Sequence, residues 1–355
     1  GFISGDFISH PVGFFLQGLF QSIDKAQFQL IVFSNNAKID SVTNQLKLHA
    51  DQWNQIENLS DDSCAELIHK ENIDLLIDLS GHTARNRIGV LAYKPAINQA
   101  TWLGFFGSTG VPEVGYVIAD NITITKEEER YYVEKVLRLP NCYLNLMMPE
   151  AVKERTSLPC DTNGFITFGS QNNLTKMTDE VVSVWSDILS AVPSSRLLLR
   201  SSQLSSERVL DRTKQRFAKM GIAADRLILH GQSLRGQVLE TYRDIDIALD
   251  TFPYPGGTTT LEALLMNTPV ITLKGSGFLS KIGASILTTA GLNKNIAATK
   301  EDYLEIAIRL ANNVNELSNC RRRLKSNLPN TTLLNSVLFA KEFENLVKGI
   351  VGKNE

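Results

Sequence analysis

The chain has 355 residues, 43% of them hydrophobic and 21% charged, with a formal net charge of -2. That length exceeds one ordinary hydrophobic core, so two domains are expected, and the composition is that of a globular protein. It holds no apolar stretch long enough to span a bilayer as a helix and no dense Lys/Arg stripe, which speaks against a membrane-spanning helix and against nucleic acid as a partner.

The basic run Arg321-Arg322-Arg323 reads as a solvated helix face. Cys64, Cys142, Cys160 and Cys320 have no CxxC spacing, so neither a zinc site nor a disulfide framework is expected. A reducing cytoplasm fits that pattern.

The chain opens on Gly1-Phe2-Ile3-Ser4, which reads as the last half of a buried strand, so the sequence is expected to be part of a longer protein. Pro11 is well placed to start a helix whose buried stripe is Phe15, Leu16, Leu19, Phe20 and Ile23. Apolar runs at Phe28–Phe33, Ile73–Leu79, Ala100–Leu103 and Val114–Ala119 predict strands. Their continuous hydrophobicity suits a parallel sheet covered on both faces. Pro149 to Gly164 carries prolines and charges without periodicity and is expected to hold the domain linker.

The pattern then restarts. Strands are predicted at Phe165–Phe168, Arg196–Leu199, Arg226–Leu229, Ile245–Leu249 and Pro269–Leu273. Thr178, followed by two acidic residues, marks a helix N-terminus, and Thr299 with Asp302 has the spacing of a capping box. Phe339, Phe343, Leu346, Val347 and Ile350 mark the buried side of a last helix. Strand–helix alternation at this spacing predicts an α/β protein of two Rossmann-like doubly wound domains, 1–155 and 156–330, with 331–355 a helix packing back toward the first domain. The active site is expected in the cleft between them.

The stretch Asp250-Thr-Phe-Pro-Tyr-Pro-Gly256-Gly257-Thr258-Thr259-Thr260-Leu-Glu262 carries most chemistry. It runs from a strand end through a turn rich in Pro and Gly into a helix. Backbone N–H groups, threonine hydroxyls and the positive end of a helix dipole together suit a diphosphate. A turn followed by an ordinary capped helix has the same outline. Glu262, about one turn in, can accept the hydroxyls of a ribose. Asn173 and Lys176 follow the first strand of the second domain, where a lysine can stabilise a departing nucleoside diphosphate. In the first domain His10 and His82 end two strands, a place for an acceptor-side base or hydrogen-bond partner and equally for a helix cap or surface residue. Asp244-Ile245-Asp246 spells a D-x-D metal motif but leads into a strand, so it reads as structural.

In order and spacing, these segments resemble the O-linked N-acetylglucosamine transferase and SPINDLY family, particularly its bacterial members with tetratricopeptide repeats. The resemblance rests on Gly1 to Pro11, Asp78-Leu-Ser-Gly81-His82-Thr83, Pro95 to Gly104, Asn173-Leu-Thr-Lys176, Leu249 to Leu264 and Pro269-Val-Ile-Thr. It implies an inverting, metal-independent GT-B glycosyltransferase with no cofactor beyond a nucleotide-sugar co-substrate. Transfer would be most often of N-acetylglucosamine from UDP-GlcNAc to a protein Ser or Thr, and a repeat region would lie upstream.

By the same resemblance His10 is the active-site histidine and Lys176 the residue at the leaving diphosphate. Gly257, Thr258 and Thr259 bind phosphate, Glu262 binds the ribose, and Arg235 lies near the base. Val238 departs from a histidine that stacks on uracil, Gly257 from the histidine of animal enzymes, and Phe106 from a common proline. These departures leave the donor open between a UDP-linked N-acetylhexosamine and GDP-fucose. Two other readings stay open: a UDP-N-acetylglucosamine 2-epimerase, for which no paired acid/base carboxylates are found, and a non-catalytic sugar-nucleotide or protein-binding module.

Overall fold

A computed structural model describes residues 1–147, 157–233 and 235–352, residue 235 by its backbone alone. The chain divides into two compact units, Gly1–Met147 with Thr331–Glu355, and Met148–Asn330. The first half of the predicted linker segment, 149–156, lies outside the described residues. In the second half Pro159–Asn163 forms a short helix that stops at Gly164, whose φ of 74° gives the left-handed cap that glycine adopts without strain.

The first unit holds, among the described residues, a seven-stranded sheet of β1 (Phe2–Ser4), β2 (Ile31–Ser34), β3 (Gln52–Gln55), β4 (Leu75–Asp78), β5 (Asn98–Thr101), β6 (Tyr116–Asp120) and β7 (Lys135–Leu139). Its order is β3-β2-β1-β4-β5-β6-β7, and every pairing is parallel. The chain therefore reverses its direction of sheet growth between β1 and β4. The loops after the carboxyl ends of these two strands, where doubly wound sheets bind ligands, carry His10 and His82.

The last helix, Ser336–Val351, belongs to this unit. Its Phe343 ring lies 5.1 Å from Trp102 and 6.5 Å from Phe2, and Phe2 in turn lies 5.1 Å from Phe20. All four are buried. Phe343→Ala empties the centre of this aromatic cluster and should cost about 3–5 kcal/mol, read as a lower denaturation midpoint in urea.

The second unit repeats the plan with β8 (Thr167–Ser170), β9 (Arg196–Arg200), β10 (Leu227–His230), β11 (Ile247–Leu249), β12 (Val270–Leu273) and β13 (Ile296–Ala297). The order is β10-β9-β8-β11-β12-β13, again all parallel, with the reversal between β8 and β11. The loops at that reversal carry Asn173 with Lys176 and the Asp250–Gly257 segment. Helix starts follow local chemistry: Thr178 caps Asp179–Ala191, and Thr299 with Asp302 closes the reciprocal box that starts Lys300–Asn312. Asp246, fully buried, accepts the N–H groups of Cys160 and Thr167, so the D-x-D motif pins the entry to this unit. No helix among the described residues is long and apolar enough to cross a membrane.

Candidate active site

In the second unit the site is built around Asp250, which follows β11 and is 2% exposed. Its Oδ1 accepts the N–H groups of Gly256 at 2.5 Å and Thr251 at 3.1 Å, and the Asn172 amide at 3.3 Å. Its Oδ2 accepts the hydroxyls of Thr272 at 3.0 Å and Thr260 at 3.3 Å. One carboxylate thus ties the strand end, the loop and the first turn of the next helix together. Burial pushes its pKa up to about 6, opposed by the Gly256 hydrogen bond and the nearby Lys176 charge.

This arrangement divides the predicted phosphate-binding residues into two groups. Gly256 and Thr260 are buried, and their N–H and hydroxyl are directed at Asp250, so they shape the loop from within. A Cβ at Gly256 would stand 2.3 Å from the Thr259 hydroxyl and 2.5 Å from that of Thr260, so the close turn requires glycine. Gly257, Thr258 and Thr259 are half-buried instead. They lie at the start of the helix Thr258–Leu265, which no side chain caps. The first N–H groups of a helix have no partner within it, so this end presents donors and a positive dipole to an anion. The Thr259 hydroxyl donates to Asn172 Oδ1 at 3.0 Å, and the Thr259 backbone carbonyl accepts the Tyr242 hydroxyl at 2.8 Å.

Lys176 ends a short 3-10 turn, Leu174–Lys176, started by Asn173, whose side chain accepts Thr175 N–H at 2.9 Å. Its ammonium donates to the Pro255 carbonyl at 2.9 Å and lies 3.7 Å from the centre of the Tyr254 ring. Burial lowers its pKa to about 8, while Asp250 pulls it back up. The cation is therefore held against the same loop that the carboxylate orders from beneath. Glu262, one turn into the helix, is 4% exposed and lies close enough to Tyr242 to raise that phenol's pKa further, burial being the larger cause. Arg235 begins the helix Arg235–Thr241, and its side chain lies outside the described residues. Val238 lines a polar hollow of about 270 Å³ with Gln171, Asn173, Arg200, Ser201 and Ser233. Its carbonyl accepts the Gln171 amide at 3.0 Å.

In the first unit His10 is the N-cap of the helix Pro11–Ser22, its Nδ1 accepting Val12 N–H at 3.4 Å. The neutral ring therefore carries its proton on Nε2. Burial lowers its pKa, with Asp6 opposing and Arg85 assisting. Asp6 lies 3.9 Å from His10 and pairs with Arg85 at 3.2 Å. His82 is held through its other nitrogen: its Nε2 faces the Thr109 carbonyl at 2.7 Å. Its turn is shaped by buried Asp78, which accepts Gly81 N–H at 2.7 Å and Ser80 N–H at 3.2 Å.

Sequence reasoning assigned no role to Asp250, Asn172, Tyr254 or Asp6. The signal available for Asp250 was a carboxylate at the end of an otherwise apolar strand.

The profile of glycosyl transferase family 41 matches residues 1–158 and 146–343. The chain belongs to glycosyl transferase family 41. Curated relatives in Petunia hybrida and Arabidopsis thaliana, each named a probable UDP-N-acetylglucosamine–peptide N-acetylglucosaminyltransferase SPINDLY, are 33% identical over 99% of this chain. The chain spans only 38% and 39% of their lengths. Among solved structures, a point mutant of the Thermobaculum terrenum O-GlcNAc transferase matches with a TM-score of 0.94 and 31% identity, over 100% of this chain and 68% of that one. Anabaena HepE, solved with UDP and glucose, matches with a TM-score of 0.65 at 12% identity, over 98% of both chains. It shares the fold alone. The family 41 chain is thus an α/β protein of the GT-B kind.

Proposed function

We propose that this family 41 chain is a glycosyltransferase that moves N-acetylglucosamine from UDP-GlcNAc to a protein Ser or Thr hydroxyl. The observation that carries the reading is the second unit's loop, where a cation, Lys176, is held against an uncapped helix start ordered by Asp250. The sugar and the peptide acceptor are carried over from the names of the relatives.

The reaction is an inverting displacement. The acceptor oxygen attacks the anomeric carbon, and the bond from that carbon to the diphosphate breaks, its electron pair leaving with the phosphate. The acceptor proton passes to a base in the first unit. Charge grows on the departing diphosphate, where Lys176 and the N–H groups of Gly257–Thr259 stabilise it, without a bound metal. Glu262 accepts the ribose hydroxyls. An upstream repeat region as the acceptor-selecting partner and a cytoplasmic location belong to the same proposal.

A thermal-shift screen of UDP, GDP and their sugars tests the donor, because a ligand of the folded state raises Tm with the logarithm of its concentration. UDP and UDP-GlcNAc should shift the transition. A shift with GDP compounds alone would replace the donor, and none with either would remove the enzyme reading. Incubation with donor alone should leave the sugar unconverted, whereas an epimerase would convert it. Glu262→Gln keeps the shape and loses a charge-assisted contact, so KM for the donor should rise roughly 10- to 100-fold with little change in kcat.

A further inference from the structure

Glu134 immediately precedes β7 and is 3% exposed, yet no cation neutralises it among the interactions described for it. Three donors from one turn converge on it instead. Its Oε1 accepts Thr109 N–H at 2.6 Å and also the Thr109 hydroxyl, and its Oε2 accepts the Ser108 hydroxyl at 2.8 Å. The Ser108 oxygen in turn accepts Gly110 N–H at 3.2 Å and Val133 N–H at 3.3 Å. The turn that follows β5 is thereby fixed at both of its polar residues.

The carbonyl of that fixed Thr109 faces His82 Nε2 at 2.7 Å. A carbonyl can only accept, so Nε2 must carry the proton, and the neutral ring keeps its lone pair on Nδ1. The Phe105 ring meets the imidazole edge-on at 5.3 Å, which limits rotation of the ring. Gly81 (φ 50°) lets the two turns approach, since a Cβ there would lie 2.4 Å from Phe105. Two buried carboxylates therefore hold the two sides of one contact: Asp78 the turn of His82, Glu134 the turn of Thr109. His82 itself stays exposed. His10 carries the same Nε2–H tautomer, but its Nδ1 is already occupied by Val12 N–H.

We propose that Glu134 is a positioning residue that, through Thr109, fixes the tautomer of His82 so that Nδ1 is the proton-accepting atom of the first unit. The use of that atom rests on the glycosyltransferase reading. There Nδ1 takes the acceptor hydroxyl's proton as the oxygen's electron pair forms the bond to the anomeric carbon, and the ring becomes an imidazolium while the diphosphate leaves with the broken bond's electrons.

The test is nitrogen-15 NMR of the imidazoles in the whole chain, which has five histidines, with the His82 signals assigned by their loss in His82→Asn. Wild type should show the neutral His82 ring as the Nε2–H form. Glu134→Ala should show the averaged shifts of mixed tautomers, and Glu134→Gln, which still accepts from Thr109, should restore the single form. Transfer should follow the same order, with kcat lower by roughly 100-fold or more in Glu134→Ala, KM for the donor unchanged, and recovery in Glu134→Gln. A protonated Nδ1 in wild type overturns the proposal without any variant, even if Glu134→Ala fails to fold. A wild-type tautomer in folded Glu134→Ala overturns it as well. The NMR readout needs no sugar transfer, so failure of the transferase reading is seen separately, as a wild-type chain without turnover.

Discussion

Lys176→Ala should lower kcat for sugar transfer by roughly 100- to 1,000-fold, the loss expected when a group that stabilises transition-state charge is removed. The fold should persist, because the ammonium's contacts among the described residues are the Pro255 carbonyl and the Tyr254 ring, with Asp250 acting on it through charge alone. Circular dichroism and the urea midpoint check the fold, and unchanged turnover would remove Lys176 from the mechanism. The pH dependence follows from burial, which brings the lysine's pKa down to about 8. Activity that needs the cation should fall as pH rises through that value. Stability moves the other way. Between pH 8 and the usual 10.5 the unfolded chain holds this proton and the folded chain does not, so this group's contribution to stability rises with pH. Asp250→Asn keeps the shape of the loop and removes the charge that raises the lysine's pKa, so the alkaline limb of the activity profile should move to lower pH.

Asp250→Ala should be the more damaging change. It leaves the N–H groups of Gly256 and Thr251, the Asn172 amide and two threonine hydroxyls without their shared acceptor. Stranding buried donors on this scale should cost about 3 kcal/mol. That lowers Tm by roughly 6 to 12 °C for a unit of this size. Donor binding should be lost even at temperatures where the variant is folded, seen as no thermal shift with UDP. A donor-induced shift equal to wild type would show that Asp250 does not organise the phosphate site. The carboxylate's raised pKa also has a signature. Between pH 3.8 and about 6 the folded state holds a proton that the unfolded state has released. Its contribution therefore falls as pH rises through that window. Asp78, likewise raised to about 6 by burial, adds to the same slope.

The central strands were legible because they are buried on both faces, so hydrophobicity runs without interruption through Leu75, Leu76 and Ile77 and through Ile247–Leu249. The edge strand Gln52–Gln55 was not: Gln-Trp-Asn-Gln is polar and only partly buried, and it joins the sheet through backbone pairing to Ile31–Ser34. Lys135–Leu139, at the other edge, is mostly half-buried too, its apolar run broken by Lys135 and Arg138. The predicted strand at Phe28–Phe33 begins later, at Ile31, because its first residues precede the pairing with β3.

In the site, the phosphate loop announced itself through glycine and threonine before a helix. Which of those residues face outward did not. That choice is made by Asp250 with Asn172, which lies 78 residues earlier, and Thr272, 22 residues later. The link from Glu134 to His82 through Thr109 is likewise a product of strand order, joining residues 25 and 27 positions apart.

The return of Ser336–Val351 to the first unit has a consequence for biosynthesis. A ribosome makes Gly1–Met147 before Thr331–Glu355, and the aromatic surface of Phe2, Phe20 and Trp102 meets Phe339 and Phe343 when that later part arrives. The second unit, encoded between the two parts, is contiguous and can close while still attached to the ribosome. Of the two units, the one begun earlier is thus finished later. For the whole time needed to translate the intervening stretch, its nascent core stays open to chaperones.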